Sequence, residues 1–160
     1  MATASVRVPL HAWPALLPFG GAVVAVALVG ARAASSSAAV YGSLDLPGFA
    51  PPSWVFGPVW VVLYVAIALA GWLAWRAGAG LLGVAVWLIQ LALNLAWTPL
   101  FFAGGRYGWA LVDIVALLVA IAVTIAVFAR FSRPAAWLLV PYLAWVGFAT
   151  ALNAAIVLAN

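Results

Sequence analysis

Five long apolar runs dominate the sequence, and the short segments between them carry most of the charged residues. The runs occupy residues 14–34, 53–75, 81–103, 107–128 and 134–158. Each is close to the roughly 20 residues that an α-helix needs to cross the hydrocarbon core of a bilayer. The pattern therefore predicts an all-α fold, with residues 1–160 forming a single domain of five transmembrane helices.

The connections between the runs predict how the helices follow one another. Most are only a few residues long, so consecutive helices are expected to lie antiparallel and side by side. The segment at residues 35–52 is longer and contains Asp45, Pro47 and Pro51. Long loops in compact bundles often act as functional lids, although a plain surface linker would have the same composition. The sequence leaves both interpretations open.

Composition supports lipid rather than water as the surroundings of the chain. The chain is 70% hydrophobic and 5% charged, whereas a soluble domain carries about 25% charged residues. The basic residues are single arginines beside the runs, as expected for anchors at a membrane surface, and they form no clustered face that would bind nucleic acid. The first run could imitate a signal peptide, but its length favours a retained helix.

The arginines also predict an orientation. Five spans would separate the charged residues into two sets, with Arg7, Arg76, Arg130 and Arg133 on one side and Arg32, Asp45 and Arg106 on the other. The side that contains the N-terminus has four arginines and the side that contains the long loop has two. The positive-inside rule then places the N-terminus in the cytoplasm and the long loop outside. The absence of a targeting extension suits a bacterial cell envelope.

Three stripes of polar and aromatic residues recur at helical spacing. They comprise Trp60 and Tyr64 in the second run, Gln90, Asn94 and Trp97 in the third, and Trp145, Ala149 and Asn153 in the fifth. Polar side chains within spans usually face protein, because lipid cannot hydrogen-bond to them. The stripes predict an interior of indole, phenol and amide groups that suits a large, flat, apolar ligand. Hydrogen bonding between helices is the alternative role for the amides.

Other aromatic and proline residues are expected to position and shape the helices. Tryptophans near the ends of the runs are predicted to form interfacial belts: Trp54, Trp72, Trp75, Trp109 and Trp137. Three prolines fall inside the runs, namely Pro58, Pro99 and Pro141. Each removes a backbone hydrogen-bond donor and is expected to kink its helix.

Few residues could perform chemistry of their own. Asp113 is the only acid within a predicted span; a structural hydrogen bond is favoured over proton or cation coupling in an exporter. His11 is the only histidine and is expected to be solvated, and cysteine is absent. With no paired carboxylates, metal-binding cluster, nucleophile elbow or phosphate loop, the sequence predicts no catalytic residues, no metal site and no obligatory cofactor.

Four motifs on four predicted helices carry a family resemblance. They read PPSWVFGPVWVVLY at 51–64, QLALNLAW at 90–97, GWALVD at 108–113 and PYLAWVGFATALN at 141–153. In these motifs the chain resembles the translocator protein family, also called tryptophan-rich sensory proteins or peripheral-type benzodiazepine receptors. The resemblance implies a five-helix bundle, commonly a homodimer, with a pocket beneath the loop that joins the first two helices.

The resemblance also implies a ligand and a set of residues that bind it. Family members bind porphyrins, such as haem or protoporphyrin, and synthetic aromatic drugs. Matched by motif, the ligand-binding residues would be Tyr41, Pro51, Trp60, Tyr64, Asn94, Trp97, Trp145 and Ala149, with Ala31 and Ile114 as looser candidates. The implied function is a membrane receptor or carrier that acts as a sensor, transporter or regulator of tetrapyrroles.

Two other functions remain open at this stage. One is an enzyme that degrades bound porphyrin by photo-oxidation, and the other is a transporter of sterols or other lipids. The chain lacks the sterol-recognition pattern that vertebrate members carry after the residue matching Asn153, which argues against a vertebrate-like sterol role. Its loop also lacks the tryptophan usual in the family, since the segment before Pro52 reads PGFAP.

Overall fold

The computed structural model describes residues 13–35 and 37–160, so Arg7 and His11 lie outside the described residues. The described residues form seven α-helices: α1 (Leu16–Ala33), α2 (Ser37–Gly42), α3 (Phe56–Arg76), α4 (Gly80–Thr98), α5 (Tyr107–Ala129), α6 (Arg133–Leu138) and α7 (Val140–Ala159). They contain no strand. The predicted all-α fold is confirmed.

Five helical segments are long and apolar enough to cross a membrane. They are Trp13–Ala33, Ser53–Arg76, Gly80–Ala103, Tyr107–Ala129 and Arg133–Ala159, and every predicted end lies within one residue of these bounds. Large apolar side chains cover their outer faces, among them Leu81, Leu88 and Val119. Soluble monomers rarely expose such a continuous apolar surface, so its natural surroundings are acyl chains.

The spans form a ring whose two ends are packed differently. Helix α1 lies against α3 and α4, and α5 lies between α4 and α7. Helix α3 packs closely against α6 but touches α7 only sparsely. The ring is therefore closed at the end where α6 lies, whereas α3 and α7 separate towards the end that carries the loop at 35–52. This separation leaves room for a cavity at the loop end.

Gly71 allows three helices to meet at the closed end. A Cβ atom at this position would lie 2.6 Å from Trp87 Nε1 and 2.8 Å from a ring carbon of Phe19. The Trp87 indole N–H donates to the carbonyl of Ile67 at 3.0 Å. Because glycine occupies position 71, this indole can lie flat against α3 while it satisfies its donor.

The three prolines differ in their effects on the helices. Pro58 lies in the first turn of α3, where an N–H has no partner within the helix, so it removes no hydrogen bond of α3; the kink expected there stays a prediction. Pro99 begins a π-helical turn, Pro99–Ala103, that continues α4; the N–H of Gly104 donates to the Pro99 carbonyl at 2.8 Å. Pro141 follows the interruption at Leu139 that separates α6 from α7, as expected for a proline that cannot supply the next helical bond.

The loop at 35–52 is partly structured and held by hydrogen bonds within it and to the end of α7. It contains α2, where the Tyr41 hydroxyl donates to the Pro51 carbonyl at 3.0 Å. Burial raises the pKa of Tyr41, so this hydroxyl keeps its proton at neutral pH. Further along, the Asp45 N–H donates to Asn160 Oδ1 at 3.1 Å, and Asn160 Nδ2 donates to the Asp45 carbonyl at 3.3 Å. Its role as a lid stays a prediction.

The tryptophans near the span ends do not all behave as a belt. Trp54, Trp109 and Trp137 are strongly exposed, as members of a belt must be, and their place at the membrane interface stays a prediction. Trp72 is only 5% exposed, so its assignment to the belt was wrong. The ring of Trp13 lies 5.2 Å from that of Trp72, and the Arg76 guanidinium lies 4.6 Å from the same ring. Trp72 also belongs to the main buried core of the bundle. Trp75 is half-buried, next to α1.

Candidate functional site

A cavity of about 520 Å³ lies at the loop end between α1, α3, α4, α5 and α7, with α2 alongside. Its volume is within the range of small-molecule sites. Of the residues predicted for the site, those that line it are Tyr41, Trp60, Tyr64, Asn94, Trp97, Trp145 and Ala149, together with Ala31 and Ile114. None of the lining residues among 13–35 and 37–160 is charged. Their part in binding a ligand stays a prediction.

Pro51 is the predicted site residue that does not line the cavity. Its carbonyl instead accepts the Tyr41 hydroxyl, so it fixes a residue that does. Other lining residues were not predicted from the sequence, including Phe56, Thr98 and Phe102. Helical spacing carried a signal for them, since Phe56 precedes Trp60 by four residues and Thr98 follows Asn94 by four.

Asn94 joins three helices through its amide. The Tyr64 hydroxyl donates to Asn94 Oδ1 at 3.1 Å, and Asn94 Nδ2 donates to the Tyr142 hydroxyl at 3.1 Å. These bonds connect α3, α4 and α7 within the spans, where lipid offers no alternative partner. They fix the orientation of the amide at the cavity wall. Asn94 thus combines both roles that the sequence left open, as a link between helices and as a lining residue.

Trp97 presents its ring to the cavity but uses its donor elsewhere. Its indole N–H donates to Asn153 Oδ1 at 3.2 Å, and Asn153 Nδ2 donates to the carbonyl of Tyr107 at 3.1 Å. Asn153 is 1% exposed and does not line the cavity. Gln90 is likewise buried outside it and donates to the Trp87 carbonyl at 2.8 Å. Two of the three predicted stripes, those on α4 and α7, therefore extend beyond the cavity at one end.

Two tryptophans line the cavity with their donors unused. The indole N–H groups of Trp60 and Trp145 make no hydrogen bond to the described residues. The Trp60 ring lies 5.3 Å from that of Tyr64, and the Trp145 ring lies 5.8 Å from that of Phe56. These contacts hold the rings in place on α3 and α7. The cavity therefore offers two fixed aromatic surfaces, each with a hydrogen-bond donor at its edge.

The cavity reaches the outer surface of the bundle between α1 and α3. Among its lining residues, Leu28 is 63% exposed and Val61 is 65% exposed. Because these faces lie within the spans, an apolar ligand could pass between the bilayer and the cavity without crossing water.

Asp113 lies outside the set of residues that line the cavity. Its Oδ2 atom is buried without a hydrogen-bond partner among the described residues, so the structural hydrogen bond expected for it is not found. The described residues also contain no cluster of histidine, cysteine, aspartate and glutamate that could hold a metal ion.

Known proteins match the chain over most of its length. A sequence model of the TspO/MBR family matches residues 19–158. The chain is 44% identical to the human translocator protein over 71% of this chain and 70% of that protein. It is 43% identical to tryptophan-rich protein TspO of Chlorobaculum tepidum, over 75% of this chain and 78% of that protein. It is 39% identical to tryptophan-rich protein TspO of Archaeoglobus fulgidus, over 87% of this chain and 92% of that protein. The chain therefore belongs to the TspO/MBR family of multi-pass membrane proteins.

Proposed function

We propose that this protein binds a porphyrin, such as haem or protoporphyrin, or a similarly flat aromatic ligand in the cavity, as a membrane receptor or carrier. The observation that carries the proposal is the placement of Trp60 and Trp145 in one cavity with both indole N–H groups unused. Flat π-systems stack on such rings, and acceptor atoms of the ligand would take hydrogen bonds from the two indole N–H groups. The absence of charge on the lining suits the apolar macrocycle.

The rest of the site would orient the ligand. Asn94 has a second amide hydrogen beyond the one that it donates to Tyr142, so it can donate to the ligand as well. The acidic groups of a tetrapyrrole would lie towards the loop end of the bundle, where the spans adjoin Arg32 and Arg106. Ala149 is small and leaves space for the ring.

Titration of the purified protein with protoporphyrin IX tests the proposal, with binding followed by the porphyrin absorbance band. Replacing Trp60 and Trp145 together by Phe keeps aromatic surfaces but removes both donors. At about 0.5–1.5 kcal/mol for each of the two hydrogen bonds, affinity should fall about fivefold or more. Trp137→Phe is the matched control, because Trp137 is 70% exposed and does not line the cavity. Unchanged affinity in the double variant would contradict the proposal.

Light-dependent breakdown of the bound porphyrin is a second candidate, favoured by the same two indoles, which would touch the ligand and can be oxidised. It needs light and dioxygen but no acid–base residues. Illumination of the complex in air should then bleach the pigment faster than free porphyrin in the same detergent. If bound and free porphyrin bleach at the same rate, the protein binds the pigment but does not catalyse its breakdown.

Two copies of the chain are proposed to pair in the membrane, as the family resemblance implies. Light scattering of the detergent-solubilised protein measures this directly, since the protein mass can be separated from that of the micelle. A mass of one chain at all protein concentrations would contradict the pairing.

A further inference from the structure

Thr98 differs from the other threonines of the described helices in how its hydroxyl is used. The Thr124 and Thr150 hydroxyls each donate to the carbonyl four residues earlier, at 2.7 Å. A threonine inside a helix commonly satisfies its donor in this way. The Thr98 hydroxyl makes no hydrogen bond to the residues that the structure describes, and Thr98 lines the cavity. Its donor is therefore available to whatever occupies the cavity.

The Tyr64 hydroxyl lies at the same part of the cavity wall. A Cβ atom added to Gly30 would lie 3.8 Å from Thr98 Oγ1 and 3.9 Å from the Tyr64 hydroxyl oxygen, so both hydroxyls border one point. Tyr64 donates its hydrogen to Asn94 Oδ1 at 3.1 Å. The oxygen of Tyr64 accepts no hydrogen bond from the described residues, so it can still accept one from a ligand.

Glycine at position 30 keeps these two hydroxyls open towards α1. Any side chain there would begin in van der Waals contact with both of them. Outside α1 and among the described residues, no other heavy atom lies within 4 Å of that point. The lining residues Ala27, Ala31 and Ala34 reach no further than a methyl group. The space in front of the hydroxyls is therefore available to a ligand.

The two hydroxyls offer the two halves of one hydrogen-bonding site. Thr98 has a hydrogen to donate, and Tyr64 has an oxygen that can accept. A ligand hydroxyl satisfies both, because it accepts one bond and donates another. An ether or carbonyl oxygen would take the Thr98 hydrogen but leave the Tyr64 oxygen unpaired. Since unpaired polar groups are costly away from water, the pair favours a hydroxyl.

We propose that Tyr64 and Thr98 form a polar subsite that receives a hydroxyl group of the ligand, so that the cavity prefers flat aromatic molecules that carry a hydroxyl. The inference rests on the proposed binding of a flat aromatic ligand in this cavity. It adds a chemical requirement that stacking on Trp60 and Trp145 does not impose, because every flat π-system offers a face to stack on.

Two fluorescent probes that differ by one hydroxyl test the subsite, namely 1-pyrenemethanol and 1-methylpyrene. Saturable energy transfer from tryptophan to pyrene, measured in phospholipid nanodiscs, gives the affinity of each. Thr98→Val replaces the hydroxyl by a methyl group of similar size. It should weaken binding of 1-pyrenemethanol by about two- to tenfold and leave that of 1-methylpyrene unchanged. Partitioning of a probe into the bilayer cancels in the ratio between wild type and variant.

Three further variants separate the hydroxyl from the fold. Thr98→Ser keeps a hydroxyl and should keep the preference for 1-pyrenemethanol. Gly30→Ala places a methyl group against both hydroxyls at an ordinary contact distance, so it should reduce the preference even if Thr98→Val fails to fold. Thr150→Val is the matched control, because Thr150 bonds within α7 and does not line the cavity.

The possible failures are distinguishable. If Thr98→Val and Gly30→Ala change the affinities of the two probes by the same factor, or change neither, the hydroxyl is held elsewhere and the subsite is overturned while the cavity remains a binding site. If neither probe binds the wild-type protein, the subsite is overturned as well, and the titration with protoporphyrin IX decides the proposed function separately.

Discussion

Asn94 on α4 donates a hydrogen bond to the hydroxyl of Tyr142 on α7, at 3.1 Å, beneath the cavity. Tyr142 is completely buried, and lipid offers its hydroxyl no substitute for this partner. The same amide accepts from Tyr64 on α3. Through Asn94, helix α4 therefore links α3 and α7, the two helices that separate towards the loop end, and the shape of the cavity depends on this network.

Replacing Asn94 by Ala should destabilise the bundle. The change removes both side-chain bonds and leaves the Tyr64 and Tyr142 hydroxyls without these partners, at a cost of about 1–3 kcal/mol for an unsatisfied buried group. The midpoint of thermal unfolding in detergent, followed by circular dichroism, should fall accordingly. Val112→Ala on the lipid-facing side of α5 is the control and should change it little. Equal midpoints for the two variants would show that the network does not support the fold.

Gly71→Ala should also destabilise the protein, for a steric reason. The added methyl would lie against Trp87 Nε1 and displace the indole from its bond to the Ile67 carbonyl. Overpacking of this kind costs about 1–3 kcal/mol. Gly21→Ala is the matched control, because a Cβ atom there meets nothing within 4 Å and alanine favours the helix. If both alanine variants unfold at the same temperature, the close approach at Gly71 is not a constraint.

Removing the Tyr41 hydroxyl should speed the exchange of a bound ligand. Tyr41→Phe keeps the ring at the cavity but breaks its bond to the Pro51 carbonyl, which is worth about 0.5–1.5 kcal/mol. Dissociation of protoporphyrin IX, measured by stopped flow, should become faster by about two- to tenfold. Ser43→Ala is the control, since its hydroxyl bonds only to Val40 in the preceding turn. An unchanged dissociation rate would mean that the loop is a linker and not a lid.

Asn160→Ala should increase the mobility of the loop around Asp45. The Asp45 N–H loses its acceptor and the Asp45 carbonyl loses its donor. Hydrogen exchange at the Asp45 amide, read by mass spectrometry of peptides from residues 43–50, should accelerate, because exchange reports local opening. Leu158→Ala, on an exposed side chain of the same helix, should leave it unchanged. Equal protection in both variants would show that this pair of bonds does not hold the loop.

The spans were predictable because the membrane imposes a length and a composition on every helix that crosses it. Spacing within a helix also placed Trp60, Asn94 and Trp145 on inward faces. It could not show that the indole of Trp97 is satisfied by Asn153, since that bond joins residues 56 positions apart. Nor could it separate Trp72 from the belt, because its burial comes from packing with residues that are distant in sequence, such as Trp13.

Neither the short helix α2 nor the interruption at Leu139 could be predicted from the sequence. Helix α2 has six residues, too few for a periodic pattern to stand out from the surrounding loop. At Leu139, the apolar composition continues unbroken while the regular helical hydrogen bonding is interrupted. Hydropathy reports the preference of side chains for lipid over water and carries no information on backbone hydrogen bonds. The apolar run at 134–158 therefore covers both α6 and α7.

The exposure of Leu28 and Val61 at the cavity has a consequence for any affinity measured outside a bilayer. The cavity is lined by uncharged residues and opens towards the hydrocarbon of the bilayer. The alkyl tail of a detergent can therefore enter it without removing a charged side chain from water. Detergent is then a competitor for the site as well as a solvent for the protein. Apparent dissociation constants should therefore rise with micelle concentration, and values compared between variants are meaningful only at a fixed ratio of detergent to protein.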